Sequence, residues 1–293
     1  MLSDRGLLKA YGIYYIIAEM KLKKAVKLVK RNYFFSAILL VGLLVGLYIV
    51  FVVFFSKPRY AYVKLKVGQG LWWVNTARPN VWFADNIREG DIKYDILGRK
   101  QAEIIEVRKY PATQNSQFDV YITAKLKVGF NKRTGEYNFN RSILSVGAPI
   151  ELQFPKVDVT GTVMEISPKP FNEPFVEKIV YIVNQGGYLK DFPYRYDSIK
   201  IGDYYNDGRD KVFEVLDKKL EKNIWSIGNN LTGTIFEGEI DTNQNIIVKA
   251  RVKLKERKGN LYYGEDNKVM VNSFINFATN TYQFENFNIR KIE

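Results

Sequence analysis

The chain has 293 residues, with 44 Lys and Arg against 31 Asp and Glu, and neither His nor Cys. Disulfides, Ser-His-Asp and Cys-His nucleophilic sites and zinc sites of the usual Cys/His kind are therefore excluded, and catalysis would have to use carboxylates, Lys or Tyr. The net charge of +13 is split, +6 within residues 1–32 and +7 over the rest, too modest a second share to require nucleic acid as a partner.

Ala10 to Ala18 is apolar but too short to span a bilayer, and Met20 followed by a Lys-rich run resembles a translation start. Lys21 to Arg31 carries six basic residues in eleven, while Leu22, Ala25, Val26 and Val29 fall at i, i+3, i+4 and i+7. That pattern predicts an amphipathic helix lying on an anionic inner leaflet.

Tyr33 to Phe55 follows, twenty-three residues without a charge, and predicts a transmembrane helix. The basic flank before it predicts a cytoplasmic N-terminus, with residues 57–293 on the outer face of the cytoplasmic membrane, although Lys57, Arg59, Lys64 and Lys66 stand on the far side. A cleaved signal peptide is the competing reading, but the run is long for one and no Ala-x-Ala site follows it. Gly42 and Gly46 form a GxxxG that can pair two helices in a homodimer; two lipid-facing glycines are the plainer reading.

Beyond the helix, apolar and polar residues alternate strictly. Val63, Leu65 and Val67 alternate with Lys64 and Lys66. Val120, Ile122, Ala124, Leu126 and Val128 alternate with Tyr121, Thr123, Lys125 and Lys127. Ile246, Val248, Ala250, Val252 and Leu254 alternate with Ile247, Lys249, Arg251 and Lys253. These are expected strands with one buried and one wet face.

The last two strands match at a shift of 126, Asp85 to Asp91 matches Asp197 to Asp203 at 112, and Leu144 to Leu152 matches Val269 to Phe277 at 125. The rising shift implies an insertion of roughly fourteen residues within Asp217 to Asn245. The expected organisation is a tandem duplication. It comprises a basic arm (1–32), a transmembrane helix (33–55), a first β module (57–167), a stiff joint containing Pro168, Pro170 and Pro174 (168–174), and a second β module (175–293). The expected fold class is thus an all-β outer region of two small barrels or sandwiches attached to one N-terminal transmembrane α-helix, the first module close to the membrane.

The first copy also resembles a family of single-pass bacterial membrane proteins carrying a β-rich domain of unknown function. The resemblance lies in Ile87 to Asp95, Ala102 to Val107, Val146 to Leu152 and Val159 to Ile166. It implies a location in the cell envelope and no particular activity. The second copy departs from it, with Asn272-Ser273-Phe274 in place of Gly147-Ala148-Pro149.

Three local features are candidate sites. In Asp203 to Asp210, with Glu214 beyond, carboxylates at positions one and five, Gly208 at six and Glu214 at twelve echo a calcium loop, but Tyr205 stands where a third ligand is expected. A tight turn at Asp207-Gly208 is the preferred reading. Trp72, Trp73 and Trp82, near Tyr60 and Tyr62, are expected in the first module's core, with the membrane interface or a sugar ligand as alternatives. The Lys/Arg faces of strands 120–128 and 246–254 are expected to be solvated rather than bound to an anionic polymer.

No catalytic, cofactor or metal residues are assigned. The expected function is a non-catalytic scaffold or adaptor of an envelope, secretion or transport assembly, its partners the bilayer and envelope proteins. Binding of cell-wall or other anionic glycopolymer is the alternative, and a carboxylate-based hydrolase a third reading.

Overall fold

The computed structural model describes residues 32–55, 59–68, 78–112, 117–189, 193–229 and 234–293. The basic arm, Met20, Trp72 and Trp73 lie outside them. Tyr33–Phe55 is one unbroken helix of 23 residues, about 35 Å long at 1.5 Å per residue. Uncharged throughout, it is long and apolar enough to cross a membrane by length and composition.

Arg59–Glu293 forms one compact unit whose regular structure is almost wholly strand. The first eight are β1 (Arg59–Gly68), β2 (Ile92–Tyr94), β3 (Lys100–Pro111), β4 (Phe118–Asn131), β5 (Glu136–Phe139), β6 (Ser142–Leu144), β7 (Pro149–Gln153) and β8 (Asp158–Ser167). They form a sheet of order β2-β3-β4-β1-β8-β7, with β5 and β6 continuing from β4. The remaining strands are β9 (Phe175–Leu189), β10 (Tyr204–Asn206), β11 (Lys211–Asn229), β12 (Thr234–Arg257), β13 (Asn260–Tyr263), β14 (Asn267–Lys268) and β15 (Asn288–Ile292). In the second sheet β10, β11, β12, β9 and β15 are successive neighbours, with β13 and β14 continuing from β12.

The two sheets therefore repeat one order of strands, and the repetition extends to irregularities. A bulge separates the pairs Ile104↔Ala124 and Glu106↔Thr123 in the first sheet, and another separates Val215↔Ala250 and Asp217↔Lys249 in the second. A bulge at Lys64↔Glu165 and Leu65↔Val163 has its counterpart at Tyr181↔Lys291 and Ile182↔Ile289. Gly90 and Gly202 share a φ of 85°, and each donates its N–H over 2.8 Å, to the Ile104 and Val215 carbonyls.

Gly147, at φ 85°, donates to Val163 O, and Asn272, at φ 67°, donates to Ile289 O. The substitution of Asn for Gly at this turn keeps the left-handed backbone, which Asn tolerates better than most residues. The second hairpin is longer. Beyond the sheet, β11 and β12 run on as a two-stranded ribbon from Asn223↔Ile240 to Asn229↔Thr234, within the span where the insertion is expected.

Alternation places an apolar core on one face of each sheet. Val63, Leu65, Ile104, Ile122, Leu126 and Leu152 are buried in the first core. Ile182, Phe213, Val248, Phe277, Phe284 and Ile289 are buried in the second. The expected wet face is only partly wet. Lys64 is 3% exposed, and Tyr121 and Thr123 are buried as well; Arg108, on β3, is 6% exposed. Tyr110 and Tyr121, from β3 and β4 of the first sheet, belong to the second sheet's core. The reason is tertiary: the second face of β1, β3 and β4 is covered by the turns and upstream end of the second sheet.

Candidate functional site

Among the described residues, buried charge collects along this seam in three groups. In the first, Lys64 Nζ donates to Glu173 Oε2 at 2.8 Å and lies 3.1 Å from Glu265 Oε2 and 3.7 Å from Glu165. Lys255 Nζ lies 3.0 Å from Glu173 and donates to Glu265. Arg257 donates from Nε and Nη2 to the two oxygens of Glu173, both at 2.9 Å, and also bonds Glu265.

Lys64 comes from the middle of β1, Lys255 and Arg257 from the end of β12, Glu265 from the β13–β14 turn, and Glu173 from the expected joint. The joint is thus more than a spacer: it supplies a carboxylate to three cations of two sheets. Its Phe171 ring lies 4.8 Å from Lys64 Nζ, a cation–π contact.

In the second group Arg108, on β3, donates to Asp207 Oδ2 and Glu106 Oε1, each at 2.5 Å, and lies 3.0 Å from Asp210. Its guanidinium sits 4.7 Å from the Phe175 ring. Tyr110 donates to Asp207 at 3.0 Å, and Lys253 donates to Asp210 at 2.6 Å. In the third, Lys66 Nζ donates to Asp266 at 2.6 Å and lies 3.5 Å from Asp119, with Tyr121 donating to the other Asp266 oxygen.

The titration behaviour follows from this pairing. Burial would raise the Glu173 carboxyl, but hydrogen bonds from Arg257 and Lys64 and the charge of Lys255 outweigh it and hold the group well below the usual carboxylate range. Glu106 is lowered in the same way, burial opposing and Arg108 prevailing. Asp210 is lowered chiefly by its hydrogen bond from Lys253. Burial, then the charge of Asp207, pushes the Tyr110 phenol up. Paired carboxylates can serve acid–base hydrolysis only where one keeps its proton near neutral pH. Glu173 and Glu265 converge on the shared cations Lys64, Lys255 and Arg257, which hold Glu173 in its ionised form and tie the two sheets together.

The calcium-like stretch resolves into a turn whose carboxylates point to different partners, Asp207 and Asp210 to Arg108, Asp210 also to Lys253, and Glu214 to Lys211 and Arg251. The Asp207 carboxylate accepts from the backbone N–H of Arg209 and Asp210, at 3.0 and 2.9 Å, and Gly208 takes φ 113°. Asp203 accepts from Tyr204 N and Thr281 Oγ1, and Glu214 faces Lys211 and Arg251. Among the described residues no cluster of three or more acidic groups is arranged to hold a metal ion.

Trp82, expected in the first core, is 62% exposed, edge-on to Phe83. The short helix Val81–Ala84 buries Ala84 instead, because in a single turn only one side faces the sheet. Tyr60 and Tyr62 lie under the Lys125 ammonium, at 4.8 and 5.9 Å. Two surface hollows are open and shallow. One of about 310 Å³ is lined by Lys93, Phe139, Asn140, Glu151 and Gln153 among others. The other, of about 120 Å³, includes Glu177, Lys211, Glu214 and Arg251.

Sequence reasoning missed the seam. Lys64 read as solvated because alternation marks the face opposite a core without saying what covers it, and Arg108 carried no reading at all. Acids that meet them come from far along the chain, Asp207 standing 99 positions from Arg108 and Glu173 standing 109 from Lys64. The one local signal was the density of charge in the turn from Asp203 to Asp210. No family model matches the chain, and neither a curated protein nor a solved structure matches it.

Proposed function

We infer that this is a membrane-anchored, non-catalytic scaffold or adaptor built from a tandem duplication, with modules at 57–167 and 175–293. The helix Tyr33–Phe55 would anchor it in the cytoplasmic membrane with the N-terminus inside and both modules outside, among envelope proteins. The observation that carries this reading is the use made of buried charge. The seam's carboxylates and cations neutralise one another across two sheets, which fits a rigid block that presents edges and loops to other proteins. The repeated strand order, the paired bulges and the matching Gly90 and Gly202 turns support the duplication.

Crosslinking in intact membranes, followed by purification in mild detergent and mass spectrometry, tests the assignment. A stoichiometric set of membrane or exported proteins is expected. Recovery of the chain alone, or with wall polymer only, would overturn the adaptor reading. The second reading, glycopolymer binding, draws support from the open hollow beside Lys93, where Phe139 stands among amide and charged side chains. Salt-sensitive retention on isolated wall polymer would distinguish it.

A further inference from the structure

The repeated strand order makes the upstream ends of the two sheets comparable. In the second sheet this end comprises the start of β9 at Phe175, the β10–β11 turn at Asp207 and the ends of β12 and β13. It is the end that packs on what precedes it in the chain, the first sheet. In the first sheet the corresponding end comprises the start of β1, the β2–β3 turn and the β4–β5 turn, gathered by the pairs Tyr60↔Lys127 and Tyr94↔Lys100.

The two Asp turns are built alike. Asp95 accepts from Leu97 N and Arg99 N, both at 2.9 Å, as Asp207 does from the N–H groups of its own turn. Their surroundings differ. Asp207 is buried, whereas the turn held by Asp95 raises Ile96 fully into solvent, with Leu97 and Tyr94 more than half exposed. Unlike its counterpart, this tip is apolar, and cations stand round it. Lys93 and Lys100 flank it in the strands, Arg99 pairs with Asp95 at 2.9 Å, and Lys127 lies 4.0 Å from the same carboxylate. Lys132 and Arg133 stand exposed on the neighbouring β4–β5 turn.

What precedes the first sheet in the chain is the apolar helix. Only Ser56, Lys57 and Pro58 intervene between Phe55 and Arg59, a tether that reaches about 14 Å. We propose that the upstream end of the first sheet docks on the anionic surface of the bilayer, with Ile96, Leu97 and Tyr94 entering the headgroup layer and Lys93, Lys100 and Lys127 engaging lipid phosphates. The proposal rests on the reading of Tyr33–Phe55 as a membrane span. An apolar tip inside a ring of Lys and Arg is the chemistry by which proteins settle on anionic lipid interfaces, and the tether keeps the tip within reach of that surface.

The lack of native Cys allows unique labelling of the full-length chain. Ile96→Cys, Phe274→Cys on the second sheet, and Leu44→Cys in the helix would each carry an environment-sensitive fluorophore. The variants would be reconstituted in phosphatidylcholine vesicles with about a third phosphatidylglycerol, a surface charge sufficient for such contacts. Lipids spin-labelled at the headgroup report on positions 96 and 274, and acyl-chain labels report on position 44.

The expected result is quenching at position 96 roughly fivefold above position 274, reduced by at least about fivefold on adding Lys100→Gln and Lys127→Gln. Quenching at 96 no greater than at 274, with 44 still quenched, overturns the docking and leaves the span standing. An unquenched position 44 removes the span and the docking with it. Equal quenching at 96 in pure phosphatidylcholine overturns recognition of anionic lipid. A signal at 96 that follows protein rather than lipid concentration assigns the tip to a second copy of the chain and also overturns the proposal.

Discussion

The first sheet meets the seam with a face, and the second meets it with an end. Lys64, Lys66, Arg108, Tyr110 and Tyr121 project from one face of β1, β3 and β4, while their partners Asp207, Glu265 and Asp266 lie in turns. Two sheets of one strand order thus make an asymmetric, head-to-face junction. Strand order and register follow from backbone pairing and bulges, whereas the packing of one unit on another is decided by which turns carry charge. The Asp95 and Asp207 turns share a backbone scheme and differ in burial, so they isolate what the junction adds.

Substitutions at these two turns give the largest expected contrast. Asp207→Ala leaves Arg108 buried with part of its compensation gone, deprives Tyr110 of its acceptor and uncaps the turn. It should lower stability by about 3–5 kcal/mol, read as a fall in the urea midpoint. Asp95→Ala removes a comparable cap in solvent and should shift that midpoint far less. Equal losses at the two positions would mean that the junction contributes nothing beyond the turn.

Next in size is Glu265→Gln, which keeps the shape but leaves Lys64, Lys255 and Arg257 short of one negative charge. A loss of about 2–4 kcal/mol is expected, and a double-mutant cycle with Lys64→Met should show strong coupling, since both sides of the seam are changed together. Additive effects would break the picture of a shared clamp.

Gly161→Ala probes the first sheet alone. A Cβ there would stand 2.7 Å from the Lys66 carbonyl oxygen, in backbone that has little room to give. The expected cost is about 1–3 kcal/mol, measured by thermal unfolding.

Acid should weaken the seam before the apolar cores. The folded-state pKa of Glu173 lies below its ordinary value of 4.5. Its contribution is complete above about pH 4.5 and is lost as the pH falls from there toward the folded value. Stability measured from pH 7 downward should hold to that region and then decline, and Glu173→Gln should flatten the decline. A loss centred near neutrality would contradict the assignment, as the chain has no His to titrate there.

The smallest effect is expected at Asn272, whose φ of 67° matches the glycine turn at Gly147. Asn272→Gly should change stability by only a few tenths of a kcal/mol, and Asn272→Ala should cost about 1 kcal/mol, both read by chemical denaturation.

These contrasts also mark how far the linear sequence carries. The long helix and the alternating strands were legible, because each depends on residues close in the chain. Val63, Leu65, Ile122 and Val248 are buried as their alternation predicts. The Asp207 turn was legible too, since Asp-Gly selects its own backbone geometry. The seam was not. A lysine on the second face of a strand looks the same whether water or a glutamate from another sheet covers it, and Glu173 sat unmarked in a stretch read as a spacer.

The matching of the two strand orders has a consequence for how the chain folds. Each central strand has two sockets of similar shape: β1 between β4 and β8, and β9 between β12 and β15, with bulges at equivalent places. During folding, similar sockets invite a strand to enter the wrong one, an error of the kind by which folding chains misassemble. Backbone hydrogen bonding gives little discrimination between the two outcomes. Lys64 does: seated in β9's place, where Tyr181 stands opposite Lys291, it would lose Glu173 and Glu265 and meet a lysine instead. The charge in the seam would then act as proofreading, because the swapped topology leaves a buried charge uncompensated.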